Sequence, residues 1–285
     1  MTIASKVVVL GNCQAHLSAT YLTAGGAPVA ISPMPPVYEM AEDMRETVGA
    51  ELDAADIIFA QRIADDYPLS WVRTSWLREK YGTRLISWPN IYFDGYFPDT
   101  QYLYHPGWGK VLSPLEDYHF GSVIRAFQLG RTAAEAATDL MHHGEDGDPF
   151  AASLQRLRER ESGLDVAISD FLVGTVAQRR AFYTPNHPCP FVMVEMTRRL
   201  SVAAGLPFDP EAALQGGYQL DRIYIPTHRG IARANKLSFD VAPLYRGLEV
   251  LSCDPHQVHL GHPCSFELSK LIETYYLIYK SVFYC

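Results

Sequence analysis

The sequence has no long apolar segment, no excess of basic residues and no even set of cysteines. No run approaches the roughly 18 consecutive apolar residues of a membrane-spanning helix, so we expect no membrane span. Lys and Arg number 24 against 32 Asp and Glu, and the net charge of −8 has the wrong sign for a general nucleic-acid binder. Five cysteines spread along the chain indicate reduced thiols rather than a disulfide framework. Because no signal-peptide pattern precedes the first apolar run, the sequence predicts a cytoplasmic protein.

The composition is typical of a soluble globular protein, with 285 residues, 48% of them hydrophobic and 20% charged. Over the first third of the chain, short apolar runs alternate with helical stretches. This alternation is typical of parallel strands joined by crossover helices. It predicts strands over residues 6–10, 27–31, 56–60 and 84–88, and helices over residues 14–23, 38–52 and 68–81.

From Pro114 onward, helical spacing dominates the pattern. It predicts helices over residues 115–129, 132–142, 149–161, 166–180, 190–204 and 265–284. The predicted fold class is therefore α/β, with a small, mainly parallel sheet in the N-terminal third and a predominantly helical remainder. We expect a single domain over residues 1–285, with an α/β portion over 1–113 and a helical lobe over 114–285.

The most informative motif follows the first predicted strand and reads Gly11-Asn12-Cys13-Gln14, with His16 two residues later. A thiol at a helix N-terminus meets unpaired N–H groups and the positive end of the helix dipole, which lower its pKa. Asn12 and the backbone amides of Cys13 and Gln14 are candidate oxyanion donors, and Gly11 permits a ligand to approach closely. His16 lies one helical turn beyond Cys13 and is the candidate base. The alternative is an inert, buried Cys13 beside a surface histidine.

Polar residues also follow the third and fourth predicted strands. Reactive groups in such sheets gather beyond the carboxyl ends of the strands. Asn90 is a further candidate oxyanion donor, and Tyr92 a candidate wall of the substrate pocket. Gln61 and Arg62 are candidate cofactor-binding residues, with Arg62 contacting a phosphate unless it pairs with an acid.

A proline-flanked histidine lies between two predicted helices, in Tyr183-Thr184-Pro185-Asn186-His187-Pro188. The prolines fix the backbone, which favours a positioned His187 side chain. His187 is a candidate second base or a group that orients His16, and Asn186 is a candidate substrate-binding residue. The alternative is that Asn186 caps a helix and His187 is exposed.

A local basic stretch over residues 221–236 contains His228, Arg229 and Arg233. Clustered arginines suit the phosphates of a cofactor, so these three residues are candidate cofactor-binding groups. A solvated helix face is the alternative interpretation.

Residues 253–264 contain Cys253, His256, His259, His262 and Cys264, which are zinc-ligand types. Proline and glycine within the segment predict a loop, and the spacing matches no standard zinc site. We therefore expect no metal, although metal binding here is the rival hypothesis.

The strand-end motifs and the proline-flanked histidine segment together resemble one known family. They are Gly11-Asn12-Cys13-Gln14, Gln61, Pro89-Asn90-Ile91-Tyr92 and Asn186-His187-Pro188. Over residues 7 to about 199 the chain is similar to the WcbI family of capsular-polysaccharide biosynthesis proteins. The resemblance implies coenzyme A binding, acetyltransferase activity, and Cys13 and His16 as the reactive pair.

The leading hypothesis is an enzyme that transfers an acetyl group from acetyl-coenzyme A to a sugar hydroxyl in capsule-type polysaccharide biosynthesis. Cys13 either accepts the acetyl group covalently or acts in a polar pair, while His16 deprotonates the acceptor. One alternative is a cysteine-dependent hydrolase or thioesterase, in which water replaces the sugar. The other is a non-catalytic metal- or nucleotide-binding protein.

Overall fold

The computed structural model describes residues 4–107, 109–142, 147–239, 244–254 and 257–284. The strands are, in chain order, β1 (Ser5–Leu10), β2 (Val29–Ser32), β3 (Ile57–Gln61), β4 (Leu85–Trp88), β5 (Thr100–Gln101), β6 (Tyr104–His105), β7 (Gly109–Lys110), β8 (His119–Phe120), β9 (Phe182–Thr184), β10 (His187–Pro188), β11 (Tyr245–Asp254) and β12 (Gln257–Phe266). The helices are α1 (Cys13–Ala24), α2 (Arg45–Asp53), α3 (Thr74–Tyr81), α4 (Gly121–Gln128), α5 (Ala133–His142), α6 (Pro149–Glu161), α7 (Ser169–Thr175), α8 (Pro190–Ala203), α9 (Pro210–Gln215), α10 (Arg229–Ala234) and α11 (Leu268–Tyr284). None of the helices in these ranges combines the length and hydropathy that crossing a bilayer requires.

The chain forms two compact units. The first contains residues 1–92, 155–173 and 187–220, and the second contains residues 93–154, 174–186 and 221–285. The expected single domain, with its parts divided at residue 113, stays a prediction.

The first unit is built on a parallel sheet with the strand order β2–β1–β3–β4. In the sheet, Val7 of β1 lies between Ile31 of β2 and Ile57 of β3. Val7, Val8 and Leu10 are fully buried. A parallel strand covered on both faces reads as a continuous apolar run, which is why the sequence predicted these strands well. The α/β class, with a small parallel sheet and a largely helical remainder, is confirmed.

The predicted helix over residues 38–52 forms only in its second half, because α2 begins at Arg45. Two 3₁₀ turns precede it, at Val37–Glu39 and Glu42–Met44. The indole N–H of Trp71 donates to the Glu42 carboxylate at 3.0 Å, a tertiary contact at the second turn. Local helical spacing does not encode such a contact.

The predicted helix over residues 166–180 is also shorter, since α7 covers only Ser169–Thr175. The buried Glu161 carboxylate accepts hydrogen bonds from the backbone N–H groups of Ile168 (2.7 Å) and Ser169 (2.9 Å). An acceptor for the first amides of a helix marks where it begins. This cap comes from the end of α6 rather than from a residue directly before α7.

The second unit has an aromatic core, in which α11 packs against α4, α5 and β11. Tyr275, Tyr279 and Phe120 are almost completely buried there. The rings of Tyr275 and Tyr279 stack with centroids 5.7 Å apart. The apolar, tyrosine-rich C-terminal segment is therefore a core helix of this unit.

The segment over residues 253–264, predicted as a loop, belongs to the antiparallel hairpin of β11 and β12. Gly261 and Pro263 of this segment both lie within β12, and a Cβ atom at position 261 would lie 2.9 Å from Leu251 Cδ2. Glycine within a strand marks a close approach, and the edge strands of a two-stranded sheet tolerate proline. The glycines and prolines of this region therefore gave a misleading loop signal.

A buried histidine lies within the second unit's core. His119 is fully buried, and its Nε2–H donates to the Val111 carbonyl at 2.9 Å. Nδ1 then accepts from the Tyr279 hydroxyl at 3.0 Å. Burial lowers the pKa of His119 to about 4, because the charged ring loses its hydration.

We expect this histidine to make the stability pH-dependent. Folding favours the neutral ring of His119. The contribution of His119 to the free energy of unfolding is therefore complete above the unfolded pKa of about 6.5 and is lost as the pH falls towards 4. The free energy of unfolding is expected to fall by roughly 3 kcal/mol over this range. Urea unfolding of the wild type and of His119→Gln between pH 7.5 and 4.5 measures it. The variant is expected to be less stable at pH 7.5 but to show a shallower pH slope, and equal slopes would contradict the assignment.

Candidate active site

Asn12 sets the start of helix α1. Strand β1 ends at Leu10, and Asn12 is the extended N-cap, whose Oδ1 accepts from the Gln14 backbone N–H at 2.9 Å. Its carbonyl accepts from the Ala15 N–H at 2.9 Å. Helix α1, described in full, has no acidic residue in its first turn, so its own first turn carries no carboxylate to offset the positive end of the helix dipole. Cys13 is therefore the first helical residue, and it is partly exposed.

Gly11 is buried, and the space beside it is occupied by Gln61. A Cβ atom at position 11 would lie 2.6 Å from Gln61 Oε1 and 2.8 Å from Gln61 Cβ. The expectation that Gly11 admits a ligand is revised accordingly. Glycine is needed here so that a side chain of strand β3 can reach the turn.

Gln14 and Gln61 contact each other and the backbone rather than solvent. Gln14 is fully buried, and Gln61 is only 3% exposed. Gln61 Nε2 donates to Gln14 Oε1 at 2.9 Å, and Gln61 Oε1 accepts from the Asn12 N–H at 3.0 Å. The expected direct roles of Gln61 in cofactor binding and of Gln14 as an oxyanion donor are therefore revised, since the Gln14 N–H is bonded to the cap.

Asn90, just beyond β4, is half-buried beside the same turn. Its Oδ1 accepts from Asn12 Nδ2 at 3.4 Å, a long hydrogen bond. This contact directs the Nδ2 group of Asn90 away from Asn12. The ends of β1, β3 and β4 thus bring Asn12, Cys13, Gln61 and Asn90 together, and the Asn90 amide keeps a donor for a ligand.

His16 is exposed on α1, one turn after Cys13. Its Nε2 lies 2.7 Å from the carbonyl oxygen of Met34. Because a carbonyl only accepts, Nε2 carries the proton, and Nδ1 holds the lone pair of the neutral ring. A general base at this position would therefore act through Nδ1.

Tyr92 and Arg62 lie in the first unit with different surroundings. The Tyr92 carbonyl accepts from the Arg160 guanidinium at 2.7 Å, and the guanidinium carbon lies 5.8 Å from the centre of the Tyr92 ring. Arg62 is exposed beyond β3, and among the described residues its side chain makes no ion pair. Arg62 is therefore a cation available to an anionic ligand.

The remaining candidates divide between the units. His187 begins β10 in the first unit and is partly exposed. In the second unit, Asn186 Oδ1 accepts from the Tyr118 hydroxyl, and His228 Nε2 lies 2.7 Å from the Tyr245 hydroxyl. These contacts occupy polar groups that a ligand would otherwise use.

Arg229 and Arg233 are exposed on the short helix α10 of the second unit. The structure adds no contact that favours phosphate binding over the solvated helix face. Their role in binding a cofactor stays a prediction.

The rival metal site is only partly described. His256 and the proline before it lie outside the described residues. Elsewhere in the described ranges, no three or more His, Cys, Asp or Glu residues are grouped so that they could hold a metal ion. His259 Nε2 lies 3.0 Å from the Asp254 carboxylate, and Cys253 and Cys264 form no disulfide.

Sequence reasoning missed two groups that support the site. Arg160 holds the Tyr92 carbonyl from helix α6, and Met34 supplies the carbonyl that fixes the ring of His16. Neither contact leaves a local signal, because the partners are far apart in the chain. The motif around Cys13 could indicate the position of the site but not these supporting contacts.

A family model described as the polysaccharide biosynthesis enzyme WcbI matches residues 6–209. A solved structure of WcbI, described as a novel polysaccharide biosynthesis enzyme, shares the fold, with a TM-score of 0.68 at 21% identity, covering 98% of this chain and 89% of that one. It is the native form of that protein without a disulfide bond between coenzyme A and one of its cysteines. No match was found among curated proteins. The resemblance seen in the motifs is confirmed.

The crowding at Gly11 gives a prediction with a matched control. Gly11→Ala is expected to lower the free energy of unfolding by about 1–3 kcal/mol, because the new methyl group overlaps Gln61. Gly49→Ala, inside α2 with open space around its Cβ position, is expected to raise it by about 0.5–1 kcal/mol. Denaturant unfolding measures both, and a Gly11→Ala protein as stable as the wild type would contradict the packing at the turn.

Proposed function

Because the chain belongs to the WcbI family of polysaccharide biosynthesis enzymes, we propose that it transfers an acetyl group from acetyl-coenzyme A to a sugar hydroxyl. The observation that carries this proposal is the position of Cys13. It is the partly exposed first residue of α1, beyond the end of β1 and directly after Asn12, which bonds to Asn90. A thiol with this environment is suited to nucleophilic chemistry.

Coenzyme A is the proposed acyl carrier. The related WcbI structure is described with reference to coenzyme A and one of its cysteines, which supports a thiol-containing ligand near a cysteine. We infer that the ligand's sulfur end approaches Cys13. Arg62, which is exposed and makes no ion pair within the described part of the chain, is the proposed contact for a phosphate.

The proposed reaction has two steps. The Cys13 thiolate attacks the thioester carbonyl of acetyl-coenzyme A, the acetyl group forms a thioester with Cys13, and coenzyme A leaves as its thiolate. The sugar hydroxyl then attacks that acetyl carbonyl and gives up its proton to a base, and the Cys13 thiolate leaves. The base passes the proton to the coenzyme A thiolate or to solvent. Asn90 Nδ2 and the Cys13 backbone N–H are the proposed donors to the oxyanion in both steps.

His16 is the proposed base for the sugar hydroxyl. Its Nε2–H is held by the Met34 carbonyl at 2.7 Å, so Nδ1 is the atom that would accept the proton. His187 is the alternative base. Capsule-type biosynthesis and a cytoplasmic location stay predictions.

Substitution of the cysteine tests the covalent scheme. Cys13→Ala is expected to abolish acetyl transfer while the protein remains folded and still binds coenzyme A, because the alanine removes only the sulfur. Transfer from labelled acetyl-coenzyme A and calorimetric binding of coenzyme A measure the two properties. Cys253→Ala, in the hairpin of β11 and β12, is the matched control and should retain activity. Full activity of Cys13→Ala would rule out covalent catalysis.

The same assay separates a transferase from a hydrolase. For a transferase, thiol release from acetyl-coenzyme A should stop after one equivalent of enzyme and continue only when a sugar acceptor is added. Continuous release without any acceptor would instead support the cysteine-dependent hydrolase or thioesterase. No release, together with no labelling of Cys13 by iodoacetamide at neutral pH, would favour a non-catalytic binding protein.

Removal of the base should affect rate more than binding. His16→Gln keeps a donor for the Met34 carbonyl but lacks a titrating group, so kcat is expected to fall by about 10²–10⁴-fold. His262→Gln, at an exposed position of strand β12, is the control and should leave kcat unchanged. Steady-state kinetics across pH 6–9 provides the measurement. A His16→Gln enzyme with the wild-type rate and pH profile would contradict His16 as the general base and favour His187 instead.

A further inference from the structure

Two buried glutamine side chains connect the turn at Cys13 to two neighbouring strand ends. Gln14 Nε2 donates to the Ile91 carbonyl at 2.9 Å, and Gln14 Oε1 accepts from the Ile91 N–H at 3.0 Å. The side-chain amide thus pairs with one peptide group in both directions, as an adjacent strand would. Gln61 joins the same oxygen of Gln14 to the Asn12 N–H.

The resulting path runs from Ile91 through Gln14 and Gln61 to Asn12, and it contains no charged group. It lies beneath the turn, because Gln14 is fully buried and Gln61 is 3% exposed. Gln61 uses its donor on one side and its acceptor on the other. Only an amide side chain supplies both groups at this length without a charge.

The path includes both residues that flank Cys13. Asn12, before Cys13, donates its N–H to Gln61, and Gln14, after Cys13, holds Ile91 and Gln61. The Asn12 side chain also caps the Gln14 N–H. The backbone on either side of Cys13 is therefore held by the buried side chains of Gln14 and Gln61.

We propose that Gln61, acting through Gln14 and Asn12, is a positioning residue that holds the Cys13 thiol at the N-terminus of α1. The consequence for acetyl transfer rests on the proposed function, whereas the consequence for thiol reactivity does not. Loss of the path should let the turn relax, so that the amides of α1 stabilise the thiolate less well.

The test compares Gln61→Met with Gln155→Met. Methionine keeps the length of the side chain but removes both hydrogen bonds, whereas Gln155 is an exposed residue of α6 bonded to Glu159. The pH dependence of iodoacetamide alkylation at Cys13, located by peptide mass spectrometry, gives the thiol pKa. Gln61→Met is expected to raise that pKa by roughly half a unit. It should also lower kcat about tenfold, with KM for acetyl-coenzyme A changed less than about twofold. Gln155→Met should change none of these values.

A folded Gln61→Met protein with the wild-type alkylation profile would overturn the proposal. If that variant does not fold, Gln61→Asn is tested in its place, because it keeps a neutral amide on a side chain too short to bond both Asn12 and Gln14. It is likewise expected to raise the thiol pKa, and an unchanged alkylation profile would again overturn the assignment.

The alkylation result is independent of the reaction catalysed. An altered profile in a protein with no acetyltransferase activity would uphold the positioning role and reject the proposed function. An unchanged alkylation profile in an active acetyltransferase would reject the positioning role and uphold the proposed function.

Discussion

The hydrogen bond from the Asn12 N–H to Gln61 is the contact on which the candidate site depends. It holds the turn between β1 and α1 against strand β3, and Gly11 leaves the room that the glutamine needs. A buried polar group left without its partner costs about 1–3 kcal/mol. A change at Gly11, Gln14 or Gln61 therefore affects the whole arrangement rather than one side chain. The placement of Cys13 follows from this buried amide pairing as much as from the helix that begins there.

The same pairing decides which polar groups face a ligand. Asn12 is used as the helix cap, and the Gln14 N–H is bonded to it. Asn90 accepts from Asn12 through Oδ1 and so presents its Nδ2 group. Catalysis by Cys13 would then use the dipole of α1, with no carboxylate in its first turn, together with the Asn90 amide.

The sequence could predict the sheet because buried parallel strands consist of consecutive apolar residues, as in β1 and β3. It could also locate Cys13 at a helix start, since Gly11 and Asn12 are local signals for a turn and a cap. It could not predict that α7 begins at Ser169, because the capping Glu161 comes from another helix. The hairpin of β11 and β12 was missed because Gly261 and Pro263, which indicate a loop locally, lie within strand β12. The glutamine path was missed because its partners are distant in the chain.

The most direct measurement of the central claim is the mass of the peptide that contains Cys13. The protein is mixed with acetyl-coenzyme A, quenched with acid within the first turnover, digested and examined by mass spectrometry. The account predicts one acetyl group on Cys13, which disappears when a sugar acceptor is added before the quench. An unmodified Cys13 peptide at every time point, while the acceptor becomes acetylated, would contradict it.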